Sequence, residues 1–229
     1  MGEVVSFQAK ADASGLYLLP ADALIATSDV DHADWNFRPV VGNVIRLRYE
    51  MLQKILSNRH FPSVLEIGYG SGVFMPHLAR QSDRLYGIDP HPRSREVTEV
   101  LQRFGVSAEL VTGSATRMPY PDQSFDLVLA ASAMEFIDDL PQACREIQRV
   151  LRPAGVLAVV TPGQSPLLDF GLKILTGASP KKDFGDRRKS IIPTLLDHFE
   201  LRQRLDRPRF LHRVVRLYTA FELAAKSTV

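Results

Sequence analysis

The chain has 229 residues, 45% of them hydrophobic and 24% charged, a length that favours one substantial core over two domains and a composition that suits a soluble globular protein. Its single cysteine, Cys144, excludes an internal disulfide framework and a cysteine-rich zinc site, and it fits a reducing compartment. Net charge is only +2, yet residues 1–160 carry 15 Lys/Arg against 19 Asp/Glu (−4) and residues 161–229 carry 13 against 7 (+6), so the tail is where an acidic partner, or simply a solvated basic face, is expected.

In chain order, residues 1–20 contain Glu3, Lys10 and Asp12 around short apolar pieces and lack the basic start and continuous apolar core of a signal peptide. No run reaches the roughly 18–20 apolar residues that span a bilayer, so a cytoplasmic location is expected. Up to residue 41 there is no sustained periodicity; SDVDHADWNFRP reads as a loop, with Trp35 and Phe37 folding back on a core. Asp29, Asp31, His32 and Asp34 within it make a tempting metal cluster, but the glycine and terminal glutamate of a calcium loop are missing and such residues also make turns and caps, so no metal is expected. From Val44 to Leu56 the apolar residues recur at helical spacing, and Pro62 closes the connection.

A regular alternation follows. Strands are expected at Val64–Ile67, Leu85–Ile88, Ala108–Val111, Phe125–Ala130 and Val156–Thr161, with helices at Val73–Arg80, Arg93–Phe104 and Leu140–Leu151. Such alternation predicts right-handed βαβ units and an α/β, doubly wound, mostly parallel sheet with ligands at the carboxyl ends of the strands. After Pro162 the pattern changes: an apolar helix is expected at Pro166–Leu175, a basic loop over Gly177–Ser190, a helix at Ile191–His198 and a strand at Phe199–Leu205. Val214–Leu223 reads as a strand or an amphipathic helix, and a terminal antiparallel hairpin is favoured. Residues 1–59 are thus expected to form a cap segment and helix, and residues 60–229 the core with a lid insertion at about 165–190.

The chemistry concentrates at Glu66, Gly68, Gly70 and Gly72, an E-x-G-x-G-x-G turn closing the first strand and opening a helix. Glycines there permit positive φ and close approach of a ligand to the backbone, and the following helix adds free N–H groups. A dinucleotide fingerprint would need glycine at the sixth position from Gly68, where Val73 stands. Glu66 would also repel a pyrophosphate, whereas it suits an ammonium; an amino-acid ammonium joined to a nucleoside is S-adenosylmethionine.

VLEIGYGSG resembles the first motif of the class I S-adenosylmethionine-dependent methyltransferases, in the group similar to the ubiquinone/menaquinone biosynthesis (type 11) enzymes, with Tyr69 and Ser71 in place of the usual Cys and Thr. LYGIDP, VTGSATRMPYPDQSFDLVLA and CREIQRVLRPAGVLAVVTP resemble its later segments, so the likeness covers about residues 60–162. It implies a seven-stranded Rossmann-like sheet and a cofactor site of Glu66, Gly68, Tyr69, Gly70, Gly72, Asp89, Pro90, Ser114, Ala115, Ala131 and Ser132. Asp89 would accept bonds from both ribose hydroxyls. Ser114 stands where the family has an adenine-facing aspartate, which shifts recognition toward the backbone of Ala115. Tyr17, in a segment that by resemblance closes over the cofactor, would pack against the sulfonium or serve as a core tyrosine.

Methyl transfer needs in-line positioning first and a base only if the acceptor loses a proton. Glu135, His198 and His32 are the candidates, Glu135 because it follows the fourth strand on the substrate side. Leu167, Leu168, Leu172 and Leu175, with Lys181, Lys182, Arg187, Arg188 and Lys189, suit a structural lid, an apolar small-molecule or lipid-like acceptor, or transient contact with an anionic membrane surface. Nucleic acid is disfavoured because no aromatics interleave with the basic residues. Two alternatives remain, an NAD-dependent oxidoreductase and a module that binds S-adenosylmethionine without turnover.

Overall fold

The computed structural model describes residues 10–28, 33–38, 41–163, 187–208 and 217–226. The expected Pro166–Leu175 helix, most of the lid, His32 and the Asp29 and Asp31 side of the acidic cluster lie outside the described residues.

Helix α1 (Val41–Leu56) forms where the apolar period begins; Ile45, Tyr49, Leu52, Ile55 and Leu56 are buried along one face. Strand β1 (Phe61–Ile67) leads into the short helix α2 (Met75–Ala79), β2 (Ser82–Asp89), α3 (Ser94–Arg103), β3 (Glu109–Thr112), β4 (Phe125–Ala131), α4 (Leu140–Val150) and β5 (Leu151–Pro162). Helix α4 starts where Asp139 accepts the Gln142 N–H at 3.0 Å, with Pro141 in the first turn. Then come α5 (Arg187–His198), β6 (Phe199–Arg207) and β7 (Tyr218–Ala225).

The seven strands lie in the order β3-β2-β1-β4-β5-β7-β6. Strands β1 to β5 pair in parallel and β7 enters antiparallel between β5 and β6. The expected doubly wound sheet and terminal hairpin are both present, and 214–223 resolves as strand from Tyr218. Winding reverses between β1 and β4, so the ends of β1, β2 and β4 open on one crevice. One apolar cluster packs α1, α2, α3 and Leu16 and Leu19 on one face; α4 and α5 pack with Phe125, Val128 and Phe221 on the other.

Four expectations need correction. Pro62 does not close the connection: β1 begins at Phe61 and Pro62 lies within it. Strand β5 begins at Leu151, not Val156: the Pro-Ala-Gly stretch stays in the strand, with a register shift between Phe125 and Leu127, and Gly155 passes within 3.0 Å of the Phe125 and Arg152 carbonyls from where a Cβ would be. Helix α5 starts a turn early, at Arg187, because Arg188, Ile191 and Leu195 share one buried face. Phe37 is 37% exposed, so it does not fold back on the core; Trp35 is half-buried.

Candidate active site

After β1 the chain turns through Gly68, Gly70 and Gly72 at φ of 72°, 51° and 73°. A Cβ on Gly68 would stand 2.5 Å from that of Ala133, and one on Gly72 3.0 Å from Val97 Cγ1. These glycines therefore do different work: Gly68 and Gly70 line the crevice, while Gly72 lets α3 close on the loop and does not line it.

Asp89 ends β2 and ties down the loop. Its Oδ2 accepts the Gly70 N–H at 2.9 Å and its Oδ1 accepts the His91 N–H at 3.1 Å. The carboxylate stays 13% exposed, which leaves lone pairs open to a ligand. His91 completes the clamp. Its Nε2 lies 3.0 Å from the Gly70 carbonyl, while its Nδ1 accepts the Arg93 N–H at 3.1 Å, so the hydrogen-bond pattern requires the tautomer protonated on Nε2. The edge of the ring meets Tyr69, with centroids 5.0 Å apart.

Glu66 lies beneath this loop, 3% exposed, and its Oε2 has no protein partner. Burial pushes its carboxyl up to about 8, with the Arg48 charge opposing and Asp89 adding to the rise. Beyond β4, Ser132 takes φ 58° and Glu135 sits in the turn Met134–Phe136. Glu135 is 1% exposed, with Oε2 unpartnered. Burial raises it to about 7, against its own backbone hydrogen bond and the charges of Arg48 and Arg188.

All of this surrounds a single cavity of about 880 Å3, within the usual range for small-ligand sites. Of the predicted residues, Glu66, Gly68, Tyr69, Gly70, Asp89, Pro90, Ser114, Ala115, Ala131, Ser132 and Glu135 line it. Ser114 does so with its hydroxyl engaged 2.7 Å from Thr116 Oγ1. Tyr17 and His198 are not among the lining residues. The Tyr17 ring instead lies under the Arg80 guanidinium, 4.2 Å from its centre, beside His77, because its segment runs along α2; the half-buried packing role is the one it takes. His198 sits at the end of α5, where its carbonyl accepts from Gln148 Nε2 at 2.8 Å. Placed against α4, it is out of reach of an acceptor in the cavity.

The sequence reading missed His91, Arg48, Tyr218 and the position of Trp35 over the cavity, and it named Arg188 only as part of a basic lid; all five line the cavity. For Arg48 a signal existed: it interrupts the apolar face of α1 three residues after Ile45 and four before Leu52. Arg188 carries the same mark on α5. Trp35, Thr27 and Ser28 also line the cavity, and the Arg93 guanidinium donates to the Ala26 carbonyl, pinning that segment to the start of α3.

The sheet order, with the glycine cradle at its crevice, is that of the Rossmann-like methyltransferase fold. The chain shares it with the N-methyltransferase NodS from Bradyrhizobium japonicum WM9, solved with S-adenosyl-l-homocysteine, at a TM-score of 0.61 and 17% identity over 88% of this chain and 95% of that one. Residues 65–159 match the family described as "Methyltransferase domain". That segment is similar to methyltransferases of the type 11 group. The demethylmenaquinone methyltransferase of Chlorobaculum tepidum is 28% identical over 48% of this chain and 45% of its own length. The mitochondrial arginine-hydroxylase NDUFAF5 of Danio rerio is 31% identical over 49% of this chain and 34% of its own length. The matches thus span less than half of each of these two relatives.

Proposed function

We propose that this chain transfers a methyl group from S-adenosylmethionine to O, N or C of a small-molecule or lipid-like acceptor. The observation that carries the reading is the cradle itself: a glycine loop held at both the N–H and the carbonyl of Gly70, a ribose-ready Asp89, and a buried Glu66 oxygen lacking any protein partner. A buried carboxyl left unpaired is unfavourable unless a ligand completes it. The cofactor's ammonium does so, and its positive charge favours the ionised form of Glu66.

When bound, S-adenosylmethionine supplies a sulfonium methyl that an in-line nucleophile takes while the bonding pair stays on sulfur. Asp89 would hold the ribose hydroxyls and the backbone at Ser114 and Ala115 the adenine, while Gly68 and Gly70 would admit the chain of atoms between. Trp35, Thr27 and Ser28 line the same cavity and would help exclude water around the bound cofactor. Glu135 accepts the proton that a hydroxyl or amine acceptor releases; a carboxyl raised to about 7 is well matched to that task near neutral pH.

The test is S-adenosylhomocysteine formation over an acceptor panel. Turnover is expected to rise with pH through about 7, and Glu135→Gln should cut kcat by about 100-fold or more without changing S-adenosylhomocysteine binding. A pH-independent kcat matched by the variant would remove Glu135 from the chemistry. The arginine-hydroxylase relative shows why turnover must be measured: its name assigns a different reaction to a protein sharing this segment.

A further inference from the structure

We propose that Arg48 holds the carboxylate of the cofactor: with Glu66 it forms a two-sided clamp for an α-amino acid zwitterion, Glu66 taking the ammonium and Arg48 the carboxylate beside it. The proposal rests on the methyl-transfer reading above and deepens it, assigning a residue that no motif in the sequence marks.

A cation and an anion share the wall of the cavity here without meeting. Glu66 comes from β1 and Arg48 from α1, and both line the cavity. The charge of Arg48 reaches Glu66, and Glu135 as well. Yet Glu66 Oε2 and Glu135 Oε2 have no hydrogen-bond partner, and Arg48 Nε is buried without one. What holds the arginine apart is Tyr49. The guanidinium lies over that ring, 4.6 Å from its centroid, and its Nη2 donates to the Tyr49 hydroxyl at 2.8 Å. The Tyr49 ring is stacked in turn on Phe74, with centroids 4.4 Å apart and planes 13° from parallel, and Phe74 leads from the glycine loop into α2. Arg48 is thus registered against the loop that the cofactor would occupy, with donors left for an oxyanion.

The chemistry of the gap selects the ligand. A lone amine would answer Glu66 and leave Arg48 Nε unsatisfied; a lone acid would do the reverse. An α-amino acid, with a single carbon between its ammonium and its carboxylate, satisfies both by charge-assisted hydrogen bonds. Glu66 is the ionised partner in this pairing, as in the function proposed above. The zwitterion brings one charge of each sign, so its fit does not turn on the net charge of Asp89, Glu135 and Arg188, which line the same cavity. Asp89 is committed elsewhere, accepting the N–H groups of Gly70 and His91. It follows that the site distinguishes adenosyl ligands by their carboxylate.

The experiment is calorimetry on the whole chain with S-adenosylmethionine, decarboxylated S-adenosylmethionine and 5′-methylthioadenosine, titrated into the wild type, Arg48→Gln and Arg48→Lys. The wild type should bind the first about 10- to 100-fold more tightly than the second, the scale of hydrogen bonds between charged groups. Arg48→Gln should lose that same factor for S-adenosylmethionine while its affinities for the two ligands without a carboxylate stay at wild-type values, which also shows that the variant is folded. Arg48→Lys should fall between, keeping the charge without the planar fork. Equal wild-type affinity for the carboxylated and decarboxylated forms would overturn the proposal, as would Arg48→Gln binding S-adenosylmethionine like the wild type. An equal loss of all three ligands in the variant would also overturn it, making Arg48 a structural residue. A wild type that binds no S-adenosylmethionine sinks the cofactor reading and this proposal together. One that binds it without regard to the carboxylate sinks this proposal alone.

Discussion

Gly70 is held from both sides, its N–H by Asp89 and its carbonyl by His91. Removing the imidazole with His91→Ala should weaken S-adenosylhomocysteine binding about tenfold, the scale of one lost buried hydrogen bond that positions a loop, as read by calorimetry. Glu66 offers a separate test through stability. Its folded value of about 8 lies above its ordinary 4.5, so the folded state binds more protons than the unfolded one between those values. Its contribution is fully present below about 4.5 and is lost as pH rises through about 8. Without cofactor, the melting temperature should fall from pH 5.5 to pH 8, and Glu66→Gln should flatten that fall and leave the variant more stable at pH 8. An identical slope in both proteins would contradict the burial of an unpaired carboxyl. The same substitution should cost cofactor affinity, since the ammonium loses its charged partner.

At the scale of elements, the closing segment depends on a glycine that helix propensity alone would misjudge. In the interior of an exposed helix, Gly→Ala gains about 1 kcal/mol. Gly42, near the start of α1, is different: a Cβ there would stand 2.5 Å from the Asn36 carbonyl oxygen and 2.9 Å from its carbon. Gly42→Ala should push away the turn Ala33–Phe37 that carries Trp35 over the cavity. Because Trp35 is the only tryptophan, its emission should shift in the variant while S-adenosylhomocysteine affinity falls. Unchanged emission and affinity would show that the segment does not rest on that contact. The elements also explain what was readable beforehand. Periodicity sufficed for β4 and α4, whose buried faces are well marked, and placed β1 to β3 to within three residues at their starts. It failed at β5, where Pro153 and Gly155 signal a turn that pairing with β4 overrides, and at α5, whose buried face includes an arginine.

Across the whole molecule, the site was legible where it is built by local sequence and hidden where it is built by convergence. Glu66, the glycines and Asp89 sit at the ends of neighbouring strands, so motif spacing locates them. Arg48, Arg188 and Tyr218 come from α1, α5 and β7, brought together only because β7 inserts between β5 and β6 and draws the C-terminal elements over the crevice. The same distinction accounts for Tyr17 and His198, each chemically plausible and each carried elsewhere by its own element. Among the described residues no helix is long and apolar enough to cross a membrane.

The most direct test of the central claim is calorimetric titration of the purified chain with S-adenosylhomocysteine, S-adenosylmethionine and NAD, repeated with Asp89→Ala. The account predicts binding of the first two in the micromolar range, none of NAD, and a loss of about 10- to 100-fold in the variant, the scale of hydrogen bonds to a charged group. Binding of NAD alone, or equal affinity for S-adenosylhomocysteine with and without the Asp89 carboxylate, would contradict it.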